Sequence, residues 1–157
     1  TVAKYMVKHR HIEPVERWRT FMKNHMKVNA ACDFFTVPTA TFKVLYVFVV
    51  LCHDRRRIEH LNLTANPTAE WTARQIVEAF PDSEELRFLH RDRDAIFGES
   101  FRNTVKSLGI EEVISAKKSP WQNCYAERVI GSIWRECTDH VLAMYETFGL
   151  FGDYRVK

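Results

Sequence analysis

The chain has 157 residues, 46% of them hydrophobic and 27% charged, with a formal net charge of +3. That composition suits one domain with a real core and excludes a disordered tail protein. The longest apolar run, VLYVFVVL at 44–51, is far short of the roughly 20 residues that a membrane-spanning helix needs, and reads as a buried strand. With no basic-apolar-small export signal, the sequence predicts a cytoplasmic protein. Cys32, Cys52, Cys124 and Cys137 form no C-x-x-C pair and sit in apolar patterns. Buried reduced thiols are expected there, rather than disulfides or zinc ligands.

The charge is uneven. Residues 1–30 carry seven Lys or Arg against two Asp or Glu, a net +5, whereas the remainder carries 16 against 18, a net −2. A basic arm of this kind can contact phosphates, or it can be a solvated linker. The stretch YMVKHRHIEPVERWRTF reads as a connection between domains, and the start at Thr1 reads as part of a longer protein.

Residues 27–37, 42–53 and 56–65 are rich in β-branched and aromatic residues and predict a three-stranded meander. Asn66-Pro67-Thr68 supplies a cap with an N1-type proline for a helix in which Ala73, Ile76, Val77 and Phe80 form the inward stripe, stopped at Pro81. A fourth strand follows at 86–90. Phe101, Val105 and Leu108 then mark a second helix ending at Gly109 in the C′ place, and 111–116 is a fifth strand. A third helix is predicted from about 123 to about 144, with Ile130, Ile133, Trp134, Cys137 and Val141 on its apolar stripe. The order β-β-β-α-β-α-β-α predicts an α/β fold, a five-stranded mixed sheet with helices on both faces.

Three carboxylates are out of place in this pattern. Asp33 lies inside an apolar strand, where an unpaired charge is costly unless it is neutralised or a cation binds it. Asp92 shares strand parity with Phe88 and His90, and Glu127 continues the stripe of the third helix toward the sheet. Glu136, about 200° around that helix from Trp134, faces solvent. Three inward carboxylates suit hard divalent cations such as Mg²⁺ or Mn²⁺. From the pattern alone, three unrelated charges are an equal reading.

Three blocks go further: DFFTV at 33–37, RDRDAIFG at 91–98 and SPWQNCYAERVIGSIWREC at 119–137. They resemble the signature blocks of the DDE transposases and retroviral-type integrases, particularly bacterial insertion-sequence transposases, over about 27–141. The second block resembles S-D-R-G-x-x-F, with the aspartate five residues before Phe97, which selects Asp92 over Asp94. The third resembles P-x-x-N-A-x-A-E and maps onto Pro120, Asn123, Cys124, Ala126 and Glu127. The 35 positions from Asp92 to Glu127 match the spacing in the family's name for this pair.

The resemblance implies an RNase H-like fold in which Asp33, Asp92 and Glu127 bind two Mg²⁺ (or Mn²⁺) ions. It implies cleavage of DNA at an element end by water, then attack of the freed 3′-hydroxyl on target DNA, by a protein that works as a homo-oligomer. Asn123 and Arg128 are candidate contacts to DNA or supports of the carboxylates, and Lys117 and Lys118 could follow the DNA backbone. His90 is read as a packing residue, Asp94 as a turn residue, and Arg91 and Arg93 as phosphate-facing or solvated. Residues 1–26 become the basic remnant of an upstream DNA-binding region, 27–144 the catalytic core and 145–157 a divergent or truncated tail. The protein would be bacterial, cytoplasmic and nucleoid-associated when bound to DNA. Two other readings stay open, an RNase H-like nuclease that only hydrolyses and a catalytically incompetent DNA-binding remnant.

The sequence departs from the family pattern where Asp94 and Ala95 stand near a usual glycine, and where Cys124 replaces alanine.

Overall fold

The computed structural model describes residues 13–38, 43–54, 56–81, 86–116, 122–133 and 135. The chain forms α1 (Pro14–His25), a single 3₁₀ turn (Met26–Val28), β1 (Asn29–Pro38), β2 (Val44–Cys52), β3 (Arg57–Thr64), α2 (Ala69–Ala79), β4 (Phe88–Arg91), α3 (Glu99–Ser107) and β5 (Glu111–Ile114). A further helix, α4, runs through 124–133.

The predicted meander and the strand-helix alternation are both present. β1, β2 and β3 pair antiparallel through short turns. β4 and β5 are each reached through a helical crossover, the connection a parallel strand requires, and join β1 and each other in parallel. The sheet order is β3-β2-β1-β4-β5, a five-stranded mixed sheet with β1 in the centre.

Strand alternation divides the interior in two. Ala30 and Cys32 face α2 and α3 together with Phe48, Val50 and Leu89, and Ile76, Phe101 and Val105 close that larger core. Phe35, Val37, Val47 and Val49 face the other side and meet Leu61, Leu63 and the α4 residues Ile130 and Ile133. Helices therefore cover both faces. Trp134, Cys137 and Val141, the rest of the expected α4 stripe, lie outside the described residues, as do Glu136 and the proposed tail.

Helix α1 occupies a segment that the sequence reading gave no element. Pro14 starts it in the first turn, where the missing N–H costs nothing. Trp18, Phe21, Met22 and His25 recur at i, i+3, i+4 and i+7. Trp18 packs on His90 at 4.9 Å between ring centroids, and Phe21 and His25 pack on Phe88. The helical period was present, but Arg17, Arg19 and Lys23, exposed on the outer face, made the stretch look like a solvated linker.

Two details of α2 differ from expectation. Val77 is 44% exposed, because the buried arc is centred on Thr72, Ala73, Ile76 and Ala79 and leaves Val77 at its rim. The cap is Thr68, whose hydroxyl accepts the Trp71 N–H at 3.1 Å, so Pro67 precedes the cap instead of occupying N1. Cys32 is buried, Cys52 is half-buried with its thiol donating to Glu59, and all three described cysteines are free. Cys124 is exposed, contrary to expectation, because it opens α4 just off the buried stripe.

Gly109 follows α3 with φ +73°, the left-handed end that only glycine adopts without strain. Gly109→Ala is expected to cost about 1 kcal/mol in a urea melt, through backbone strain alone, since an added Cβ meets nothing within 4 Å. No change in the urea midpoint would contradict this.

Candidate active site

Asp33 sits in the middle of the central strand, on the face covered by α4, and is half-buried. Its Oδ1 accepts the Phe34 N–H at 2.8 Å, and its Oδ2 accepts the Asn123 side-chain amide at 2.8 Å. Burial is the largest influence on its acidity and raises the pKa. The Asp92 and Glu127 charges raise it further, the two hydrogen bonds pull it back, and the result is about 6.

β1 and β4 run in parallel with Ala31 opposite His90. Asp92 follows two residues after His90, close enough to Asp33 for its negative charge to raise that carboxyl's pKa. Asp92 comes directly after β4, where pairing has ended and the chain can turn. Its Oδ1 accepts the Asp94 N–H at 3.0 Å, and Asp94 repeats the arrangement toward the Ile96 N–H at 3.0 Å. These successive side-chain-to-backbone turns deliver Phe97 to the core and start α3. Asp94 is a turn residue, as expected.

Arg91 is a correction. It was read as phosphate-facing or solvated, but strand parity sets it with Leu89 toward the larger core, and it is 4% exposed. Its guanidinium donates to the Glu112 carboxylate at 2.6 Å and to the Asp92 carbonyl at 2.8 Å, and it lies over the rings of Phe97 and Phe101. The alternation L-H-R at 89–91 carried this information. Arg93 is exposed and donates to the Ser115 carbonyl at 3.0 Å.

His90 is fully buried and packs as expected. Its Nδ1 lies 2.9 Å from the Val113 carbonyl and its Nε2 2.8 Å from the Gln122 carbonyl. Two acceptors favour the imidazolium, but burial outweighs them and, with the nearby charge of His53, holds the pKa down to about 4. The neutral ring donates to one carbonyl and packs against the other, joining β5 to the residues leading into α4.

Asn123 immediately precedes α4, and its carbonyl accepts the Glu127 N–H at 3.1 Å. Its side chain is buried over Asp33, and its Oδ1 has no hydrogen-bond partner among the described residues. Glu127 is solvent-exposed, not inward as expected. The covered stripe runs Asn123, Ala126, Ile130 and Ile133, and at about 100° per residue Glu127 falls on its flank, still near enough to act on Asp33. Arg128 is exposed on the same helix. Lys117 and Lys118 lie outside the described residues.

Asp33, Asp92, Asn123 and Glu127 thus gather around one point of the sheet, whereas Arg128 stays at its margin. Among the described residues no three His, Cys, Asp or Glu side chains converge tightly enough to hold a metal ion. Both oxygens of Asp33 and one of Asp92 are committed to hydrogen bonds, and Glu127 points outward. The donor chemistry nonetheless fits a hard cation: three carboxylates, one of them pushed toward neutrality chiefly by burial and further by its neighbours' charge, and a buried amide oxygen without a donor among the described residues.

No protein-family model and no curated protein matches the chain. Solved structures do. The HTLV-2 integrase catalytic core domain, in complex with magnesium and in trimeric form, superposes with a TM-score of 0.60 at 13% identity over 74% of this chain and 73% of that one. The BIV integrase catalytic core gives 0.56 at 18% identity over 76% and 72%. The fold is that of a retroviral integrase catalytic core, RNase H-like. A chain of the simian T-cell lymphotropic virus intasome, solved in complex with PP2A regulatory subunit B56 gamma, gives 0.63 at 12% identity over 73% of this chain. This chain spans only 42% of that one, so the integrase core fold is the part the two share. No helix among the described residues is long and apolar enough to cross a membrane.

Proposed function

We propose that the chain is the catalytic core of a DDE-type transposase or integrase, of the bacterial insertion-sequence kind, which cleaves DNA phosphodiesters and transfers the resulting strand. The observation that carries this reading is Asp33, half-buried in the central strand, held at 2.8 Å by Asn123 at the start of the helix bearing Glu127 and close enough to Asp92 and Glu127 to feel both charges. Asp33, Asp92 and Glu127 would hold two Mg²⁺ or Mn²⁺ ions. When bound, such ions lower the pKa of an attacking hydroxyl and stabilise the leaving oxyanion.

The chain's own residues prepare the site. Asn123 and the Phe34 N–H fix the Asp33 carboxylate, and the Asp94 N–H fixes that of Asp92. Preformed orientation of this kind lowers the reorganisation needed during reaction. Glu127 stands at the solvent side, where a DNA strand would enter. DNA is the expected partner, the working form a homo-oligomer, and the location the bacterial cytoplasm, on the nucleoid when DNA is bound.

The test is a labelled duplex with a recessed end, incubated with the full chain and Mg²⁺ or Mn²⁺. Nicked strands together with longer strand-transfer products are expected, and both should disappear in Asp92→Asn. Short products alone would indicate a nuclease that only hydrolyses. No products from the parent protein, or activity surviving in Asp92→Asn, would overturn the proposal, as would crystals soaked in Mn²⁺ that hold the metal away from these three carboxylates.

A further inference from the structure

The turn between β2 and β3 carries Arg56 with φ 51°, the one non-glycine residue with positive φ among those described. Arginine adopts that backbone at a cost, so an observed case raises the question of what it supports. Its exposed guanidinium lies over the Tyr125 ring, 5.3 Å from the centroid. The ring is itself held edge-on by the buried His53, 5.4 Å away at 88°. His53 is anchored in turn, because its N–H donates to the Asn29 carbonyl at 3.0 Å and its Nδ1 lies 3.3 Å from the same oxygen. Tyr125 thus serves as a fixed pedestal.

Tyr125 lies three positions before Arg128, so Arg128 is its neighbour on the helix surface, whereas Glu127, two positions on, projects about 200° around the helix. Among the described residues neither Arg56 nor Arg128 forms an ion pair. A guanidinium stacked on an aromatic face uses its flat side and leaves its N–H edge free, the geometry that grips phosphate through two bonds. We propose that Arg56, presented on Tyr125 and flanked by Arg128, is a clamp for a backbone phosphate of bound DNA. The clamp rests on the DNA-processing reading above and adds the point at which the strand is gripped.

The experiment is fluorescence anisotropy with the full chain and a labelled duplex bearing a 3′ single-stranded tail, in EDTA so that no strand is cut, over a range of salt. Arg56→Gly suits the left-handed backbone and keeps the fold, which circular dichroism verifies. It is expected to bind about tenfold more weakly, with a log–log salt slope shallower by about 0.7–0.9, the contribution of one phosphate contact. Arg56→Lys should keep the slope and lose part of the affinity, because charge is retained without the fork. Tyr125→Leu should weaken binding in the same direction. Arg74→Gln removes the same charge from exposed α2, on the opposite face, and should change little. Equal losses in Arg56→Gly and Arg74→Gln, or parental affinity and slope in Arg56→Gly, would overturn the clamp and leave the catalytic proposal standing. A parent chain that binds no DNA would overturn both.

Discussion

Asp33→Asn is expected to give a protein that melts higher than its parent at pH 7.5 and no longer cleaves DNA. The stability gain follows from the raised acidity constant. A carboxyl whose folded pKa is about 6, against an ordinary 3.8, favours the folded state in its protonated form. That contribution is complete below about pH 4 and is lost as the pH rises through 6. The neutral amide removes the penalty, worth about 1–3 kcal/mol, or roughly 3–8 °C for a chain of this size.

The local hydrogen bonds can accommodate the change. The new amide's oxygen keeps the Phe34 N–H, and a flipped Asn123 accepts from its NH₂ through the Oδ1 that has no partner among the described residues. On the proposed function, cleavage should fall by at least about 10³, since a neutral amide would replace a charged ligand of the proposed metal ions and several kcal/mol of transition-state stabilisation would go with it. Melting of both proteins from pH 4 to 8 is the measurement, and the curves should meet near pH 4 and separate above 6. Parallel curves, or an Asp33→Asn protein that still cuts, would refute the assignment.

Arg91→Ala should be the more damaging change to stability, at about 3–5 kcal/mol. It strips the partner from Glu112, whose side chain is 17% exposed, and opens space over Phe97 and Phe101. Breaking one side of a buried pair leaves an uncompensated charge. The ion pair between Arg57 and Glu59 is a useful contrast, because the arginine side chain is 63% exposed and such pairs contribute little. A double-mutant cycle with Glu112→Ala isolates the coupling, and Arg91→Ala/Glu112→Ala should recover part of the loss. A cost below about 1 kcal/mol for Arg91→Ala would show that the pair is solvated in solution.

Much of the sheet was legible because β1, β2 and β3 are long runs rich in β-branched and aromatic residues, and the short β4 and β5 are each flanked by a helical period. Asp33 could be picked out since a charge among Ala31, Cys32, Phe34 and Phe35 breaks a continuous apolar run. Its proximity to Asp92 could not be read off, because which strands lie side by side is a non-local property set by the crossover. Glu127 was placed on the right helix but with the wrong exposure. Among the described residues the covered stripe of α4 runs through Asn123, Ala126, Ile130 and Ile133, and Glu127 falls on its flank. α1 was missed because long basic side chains on one face outweigh four apolar residues in any count by composition. Arg91 was misread for a related reason: an arginine in a charged string looks solvated until its parity is compared with Leu89.

The unequal size of the two interiors has a dynamic consequence. α2 and α3 seal fully buried residues such as Phe48, Ile76 and Phe101, whereas α4 meets the sheet through a smaller cluster in which Ile130 and Ile133 are only half-buried. Local opening draws on the least buried contacts first. Among the described residues Glu127 therefore rides on a less deeply packed element than the central strand that carries Asp33. The helix-borne carboxylate can adjust its position while the strand-borne one keeps its footing.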